Sequence, residues 1–333
     1  MQCVPVTKAN GPLSVVERDK PKPGPNQIGI IVEACGVCHS DVFVTSGGFP
    51  GLSLPRVPGH EIAGRVDAVG EGVSSWKVGD RVGVGWHGGQ CFKCQACRAG
   101  DFINCVEHCI TGISHDGGWA SYVVVRWEAA ARIPDQLSAE EAAPLLCAGV
   151  TTFNALRNSG ARPGDTVGVV GLGGLGHLAI QYAAKMGFRT VALSRGADKR
   201  ELALQLGAHE YIDTAEHEPA KALQALGGAD LVLATAPQAA AIAAPFRGLT
   251  ARGKLLVVGA TGDAVPIPGF DLLSGKSVAG WPSGSAVDSE AALRFSALFG
   301  VRPRIEKFPL ARAGEALTKV LENRVRFRAV LVP

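Results

Sequence analysis

The chain has no run of about 18 apolar residues, the length a membrane-spanning helix needs. Its richest apolar segment, Leu231 to Phe246, is interrupted by Pro237, Gln238 and Pro245. Nor does it carry a block of lysines and arginines. The basic residues are scattered and the net charge is +3, so no stripe for nucleic acid and no patch for a membrane surface is expected. The opening residues, Met1-Gln-Cys-Val-Pro5, offer neither a basic nor an apolar stretch, and no secretory signal is expected. The 43 glycines and 20 prolines are dispersed, which excludes a collagen-like or linker-like tract. There is no internal repeat and no low-complexity segment. Nine cysteines, an odd number with no export signal, argue against a disulfide framework. A soluble, cytoplasmic protein is the expectation, and clustered thiols in that setting are metal ligands.

What is present is enough for two domains, because 333 residues exceed what one hydrophobic core usually serves. Residues 27–36, 61–70 and 78–86 read as short strands separated by turns, which predicts a β-rich, partly open barrel. The pattern changes near Ser138. Ser138 with Glu141 three residues on is a capping-box signal opening a helix over 138–147. From Thr166 strands alternate with helices: strands at Thr166–Gly171, Thr190–Ser194, Asp230–Thr235 and Lys254–Gly259, helices at Leu175–Gly187 and Ala197–Gly207. Such alternation predicts an α/β domain with a doubly wound parallel sheet. A last helix is expected over 288–299, and the apolar strand that starts at Arg328 should return to the first domain. The expected division is 1–150 with 300–333, and 151–299.

Gly171-Leu-Gly-Gly-Leu-Gly176 follows a strand and opens a helix, the context in which G-x-G-x-x-G signifies a dinucleotide site. Gly171 would make the tight turn, Gly173 admit the pyrophosphate, and Gly176 allow close packing of helix on strand; Gly174 and Leu175 complete the loop. An NAD site usually ends its second strand in Asp or Glu, which bonds the ribose 2′-OH. Here Ser194 stands at that place, followed by Arg195, Lys199 and Arg200. Hydroxyl and cations would bind a 2′-phosphate, so NADP(H) is expected in preference to NAD(H).

Cys91, Cys94, Cys97 and Cys105 form a C-x2-C-x2-C-x7-C run. Four thiolates suit a closed, tetrahedral structural zinc; an iron–sulfur cluster is the alternative. Cys38, His60 and Cys147 are dispersed, and the residues alone favour two buried cysteines and a core histidine. Two Cys and one His would nonetheless make the ligand set of a catalytic zinc with its fourth position open.

Together the motifs resemble the zinc-containing medium-chain dehydrogenase/reductase family, most closely its bacterial and yeast-type alcohol dehydrogenases. The resemblance rests on Cys35-Gly-Val-Cys-His-Ser-Asp41, Pro58-Gly-His-Glu61, Val78-Gly-Asp-Arg-Val82, the four-cysteine loop, Asp116-Gly-Gly-Trp-Ala120, Glu141-Ala-Ala-Pro-Leu145, Cys147-Ala-Gly-Val-Thr151 and Gly171–Gly176. It implies a GroES-like catalytic domain, a Rossmann domain and catalysis in the cleft between them. It implies that Cys38, His60 and Cys147 hold the catalytic zinc with Glu61 as a neighbouring acid, two zinc ions per chain in all. Asp41 would orient His60, Ser40 bond the substrate oxygen, His39 meet the cofactor pyrophosphate and Thr151 lie near the nicotinamide. Phe49 and Trp86 would line the substrate pocket. Relatives often carry a histidine where this chain has Phe43, so the proton from Ser40 would leave through cofactor ribose and water.

The expected activity is therefore interconversion of primary aliphatic or aromatic alcohols and aldehydes with NADP(H), by a homodimer or homotetramer. An NAD-dependent alcohol or polyol dehydrogenase is the alternative within the family, and a zinc- or redox-sensing nucleotide-binding protein the alternative outside it. Cys3, Cys35 and Cys109 are expected to be small buried hydrophobes. His87, His108, His115, His177, His209 and His217 are expected at the surface or in packing.

Overall fold

Gln27–Val37 places Ile28, Ile30, Val32 and Ala34 on one buried face, while Ile31 on the other is 45% exposed. That period of two is what a half-covered antiparallel strand requires. The strand pairs antiparallel with Ile62–Val69, Tyr122–Arg126 and Arg328–Val332. The sheet continues through Arg81–Val84 to Ala130–Arg132 on one side and to Ile305–Pro309 on the other. Its core gathers Ile28, Ile30, Ile62, Val82 and Trp119. The expected strands are thus present, the third shortened to Arg81–Val84 and followed by a separate strand at His87–Gly89.

The computed structural model describes residues 1–259 and 261–333. These divide into two units, Met1–Val150 with Gly284–Pro333, and Thr151–Ser283. The chain returns to the first unit earlier than expected. Helix Ala286–Phe299 belongs there, because it packs on the turn Leu145–Gly149 and its Glu290 accepts the Arg132 backbone N–H at 2.9 Å. Hydrophobic periodicity shows that this helix exists but not which sheet it covers.

In the second unit six strands lie in the order Glu210–Asp213, Arg189–Ser194, Thr166–Val170, Ala229–Ala234, Leu249–Val257, Ser277–Gly280, all parallel. Numbered along the chain this is 3-2-1-4-5-6, the doubly wound Rossmann order. Val167, Val169, Val191, Leu233 and Leu255 are fully buried, as strands covered on both faces require. Two strands went unread in the sequence: Glu210–Asp213 and Ser277–Gly280 are four residues each, too short to establish a period. The expected helix over 197–207 is a 3-10 turn at Ala197–Lys199 followed by an α-helix at Arg200–Gln205. Among the described residues no helix is long and apolar enough to cross a membrane.

His87 is 2% exposed inside the first unit. Burial, with His108 nearby, pushes its pKa down to about 4 from 6.5. Above pH 6.5 the neutral ring is at no disadvantage. As pH falls from 6.5 towards 4 the unfolded chain takes up a proton that the folded one refuses, so stability declines by at most about 1.4 kcal/mol per pH unit. The His87→Leu variant should therefore lose less Tm between pH 7 and pH 5 than the parent. Equal losses would show that this ring is not a source of acid lability.

Candidate functional site

Cys38 follows the long strand Gln27–Val37 and caps a 3-10 turn, His39–Asp41. The turn brings Asp41 back on its own strand end, where its Oδ2 accepts the Cys38 N–H at 2.8 Å. The other oxygen accepts the Gly59 N–H at 3.2 Å and lies 3.4 Å from His60 Nδ1. One carboxylate, 1% exposed, so ties together two segments twenty residues apart. Cys147 arrives from a third segment. Ser138 and Glu141 form the expected capping box, but the α-helix runs only over Ala139–Pro144. It then widens into a π turn, Leu145–Gly149, that carries Cys147. Such single π turns often occur at functional sites.

The result is a cluster of Cys38, His60, Glu61 and Cys147, whose candidate ligand atoms all lie within 4.8 Å of one another. The two sulfurs are 3.9 Å apart. His60 Nε2 and Glu61 Oε2 are buried with no hydrogen-bond partner, a cost that a coordinated cation would remove. The Cys147 thiol and His60 together draw the Cys38 thiol well below the ordinary range, against its burial. Burial opposes protonation of His60, but Asp41 and Cys38 outweigh it and raise its pKa. Burial also pushes the Glu61 carboxyl up to about 8, despite the Arg328 guanidinium beside it. The donor set is short of positive charge, and a divalent ion fits it. Gly36 is required here, since a Cβ would collide with the Glu61 carboxylate.

Arg328 was not foreseen. It pairs with Glu61 while only 5% exposed, and Glu61 is fully buried. The signal available in sequence was a lone guanidinium heading an otherwise apolar strand, Arg328-Ala-Val-Leu-Val332. Ser40 lies half-buried on the 3-10 turn and His39 is exposed. Trp86 meets the His60 ring edge-on at 4.9 Å, Phe49 meets Trp86 at 6.4 Å, and Phe43 meets Phe49 at 6.1 Å. Phe43 itself is 39% exposed.

The second cluster is Cys91, Cys94, Cys97 and Cys105, again within 4.8 Å. Backbone N–H groups point at the sulfurs: Cys91 and Glu107 donate to Cys105 Sγ at 3.3 Å each, Cys94 to Cys91 Sγ at 3.4 Å, and Cys97 to Cys94 Sγ at 3.5 Å. Such donors favour thiolate, and the Cys97 and Val106 N–H groups bring Cys94 down to about 6. Burial and its neighbouring thiols instead push Cys97 up to about 12. Four thiols cannot all ionise without a cation among them.

In the second unit Gly171 has φ +96°, open only to glycine without strain. A Cβ at Gly176 would strike the Gly171 carbonyl, whereas one at Gly173 would meet open space. Helix Gly176–Lys185 follows directly, with Leu175 as its N-cap and Gly174 just before. Thr235 Oγ1 donates to the Val170 carbonyl at 2.7 Å and steadies the turn. Thr151 Oγ1 donates to Ser283 Oγ at 3.1 Å. Ser194 ends its strand, 9% exposed, and Arg195 is exposed. The Lys199 ammonium is directed to the Arg195 carbonyl at 2.8 Å. It thus braces the loop beside Ser194.

Residues 24–135 match the alcohol dehydrogenase GroES-like domain, and residues 174–297 match the zinc-binding dehydrogenase family. An alcohol dehydrogenase of Penicillium expansum is 51% identical over 309 residues, 93% of this chain and 91% of its own. The chain belongs to the zinc-containing medium-chain dehydrogenase/reductase family. It is an alcohol dehydrogenase of that family, an oxidoreductase acting on small molecules. An NADP-dependent alcohol dehydrogenase of Mycolicibacterium smegmatis is 37% identical, covering 98% of this chain and 95% of that one. A cinnamyl alcohol dehydrogenase structure from Sorghum bicolor superposes with a TM-score of 0.89 at 32% identity, covering 99% and 97% of the two chains. The first unit is accordingly the GroES-like barrel and the second the Rossmann domain of this family.

Asp41 should govern metal retention at the first cluster without touching the second. Asp41→Asn is expected to weaken metal binding at the Cys38, His60, Glu61 and Cys147 cluster by about 10–100-fold, measured by competition with a chromophoric chelator. Unchanged affinity would show that the Asp41–His60 contact does not orient the imidazole.

Proposed function

We propose that this dehydrogenase reduces aldehydes and oxidises primary alcohols, aromatic ones among them, with NADP(H), using one catalytic and one structural zinc per chain. The observation that carries the reading is the buried cluster of Cys38, His60, Glu61 and Cys147, with an imidazole nitrogen and a carboxylate oxygen left unpartnered. Cys38, His60 and Cys147 would hold the catalytic ion and leave a fourth position for substrate. Cys91, Cys94, Cys97 and Cys105 would hold the other with no position open.

Zinc supplies Lewis acidity that lowers the pKa of an alcohol, and the nicotinamide takes or gives the hydride. The chain supplies the rest. Asp41 fixes His60 with Nδ1 towards its carboxylate, which leaves the Nε2 lone pair for the ion. Ser40 Oγ takes the alcohol proton in oxidation and returns it to the carbonyl oxygen in reduction. Phe43 cannot carry that proton, so it leaves Ser40 through water. Phe49 and Trp86, stacked edge to face towards His60, give the pocket an apolar wall suited to an aromatic or aliphatic substrate and not to a polyol. His39 and the turn Gly171–Gly176 would bind pyrophosphate, with Thr151 near the nicotinamide. Ser194 and Arg195 would take the 2′-phosphate. The Mycolicibacterium smegmatis relative, NADP-dependent by name, supports that preference, and the cinnamyl alcohol dehydrogenase neighbour supports an aromatic substrate. Phe270, Leu273 and Val278 stand exposed on or beside the edge strand Ser277–Gly280, which supports a homodimer or homotetramer.

NADPH oxidation on adding benzaldehyde tests the proposal. Activity should fall at least about 10²-fold in His60→Ala or after the metal is chelated. Full activity of the metal-free protein would remove zinc from the mechanism. Equal efficiency with NADH would remove the preference for NADP(H).

A further inference from the structure

The loop after strand Arg189–Ser194 is held by the next strand of the sheet. Ser194 and Asp213 are register partners at the ends of two parallel strands. Gly196 then turns with φ +94°, and its peptide is gripped on both sides. Its N–H donates to Asp213 Oδ1 at 2.9 Å. Its carbonyl lies 2.6 Å from the Tyr211 hydroxyl, which also faces the Ser194 carbonyl at 3.0 Å. Asp213 Oδ1 accepts a second N–H, from Ala215 at 2.9 Å. Thr214 N donates to the Ser194 carbonyl at 3.1 Å, and Lys199 holds the Arg195 carbonyl from the other side. Tyr211 is 5% exposed, and the Arg200 guanidinium lies 5.8 Å over its ring. The main chain of Arg195 is thus pinned on both flanks. Among the described residues, no hydrogen bond or ion pair engages its guanidinium.

We propose that Tyr211 and Asp213 are positioning residues for nucleotide choice: by gripping the Gly196 peptide they hold Ser194 and Arg195 in the geometry that receives a ribose 2′-phosphate. The inference rests on the NADP(H) reading above. The physical reason is preorganisation. An arginine on an exposed loop loses conformational entropy when it closes on a phosphate, and a loop already fixed loses less. NAD has no group for Arg195 to meet, so the same grip gives NAD little. Asp213 spends one oxygen on two backbone donors, which also hold its pKa below the usual carboxylate range. It acts through the loop and not as a charge displayed to the ribose.

Steady-state kinetics of the full-length, zinc-loaded enzyme with each nucleotide separate the possibilities. Tyr211→Phe, which removes one hydroxyl, should raise KM for NADP about fivefold, with kcat unchanged and KM for NAD within about twofold. Asp213→Ala should act in the same direction, and Asp213→Asn, which keeps an acceptor oxygen, should recover most of the loss. In an Arg195→Ala background, Tyr211→Phe should add nothing. If the parent enzyme prefers NAD, the NADP(H) reading fails and the inference falls with it. If the parent prefers NADP and Arg195→Ala abolishes that, yet Tyr211→Phe leaves KM for NADP unchanged, the positioning role alone is wrong. A fall in KM for NADP in Asp213→Ala would also overturn it, by showing Asp213 to be a repelling charge.

Discussion

The buried carboxylate of Asp41 is the constraint on which the first candidate metal site depends. A charge with 1% exposure is tolerated only when its oxygens are occupied. Here they take the N–H of Cys38, the N–H of Gly59 and the ring of His60. Satisfying Asp41 therefore places a thiol and an imidazole side by side. The same interaction stabilises the fold and shapes the site, since neither the turn after Cys38 nor the loop before His60 has a regular hydrogen-bond ladder of its own at that point. Cys147 completes the cluster through a different device, a helix that widens by one residue after Pro144.

The two clusters differ in the way their chemistry requires. Cys91, Cys94, Cys97 and Cys105 offer only sulfur, and backbone N–H groups of their own loop surround those sulfurs. Such a set closes a tetrahedron and holds a loop. Cys38, His60 and Cys147 offer three donors of mixed type, drawn from three segments. Glu61, the fourth member, is already drawn to Arg328. A buried pair of this kind is weak support for stability. Its presence beside an unpartnered imidazole nitrogen points to a site shaped for charge.

Much of this was legible in the sequence where local chemistry is self-contained. Ser138 with Glu141, the glycines at 171, 173 and 176, and the four cysteines at 91, 94, 97 and 105 each act within a few residues, so their spacing carries their meaning. What was not legible depends on distant partners. Cys38, His60 and Cys147 could be joined only through resemblance to a family, because 109 residues separate the two cysteines. Arg328 reads as an ordinary strand residue until Glu61 is seen beneath it. Helix Ala286–Phe299 has the same amphipathic pattern whichever unit it covers, which is why the domain boundary was misplaced.

The most direct measurement is anomalous scattering at the zinc edge from crystals of the metal-loaded protein. Two peaks per chain are expected, one amid Cys91, Cys94, Cys97 and Cys105, the other bonded to Cys38, His60 and Cys147. A fully loaded crystal with no peak at the second position, and those three side chains unbridged, would contradict the account.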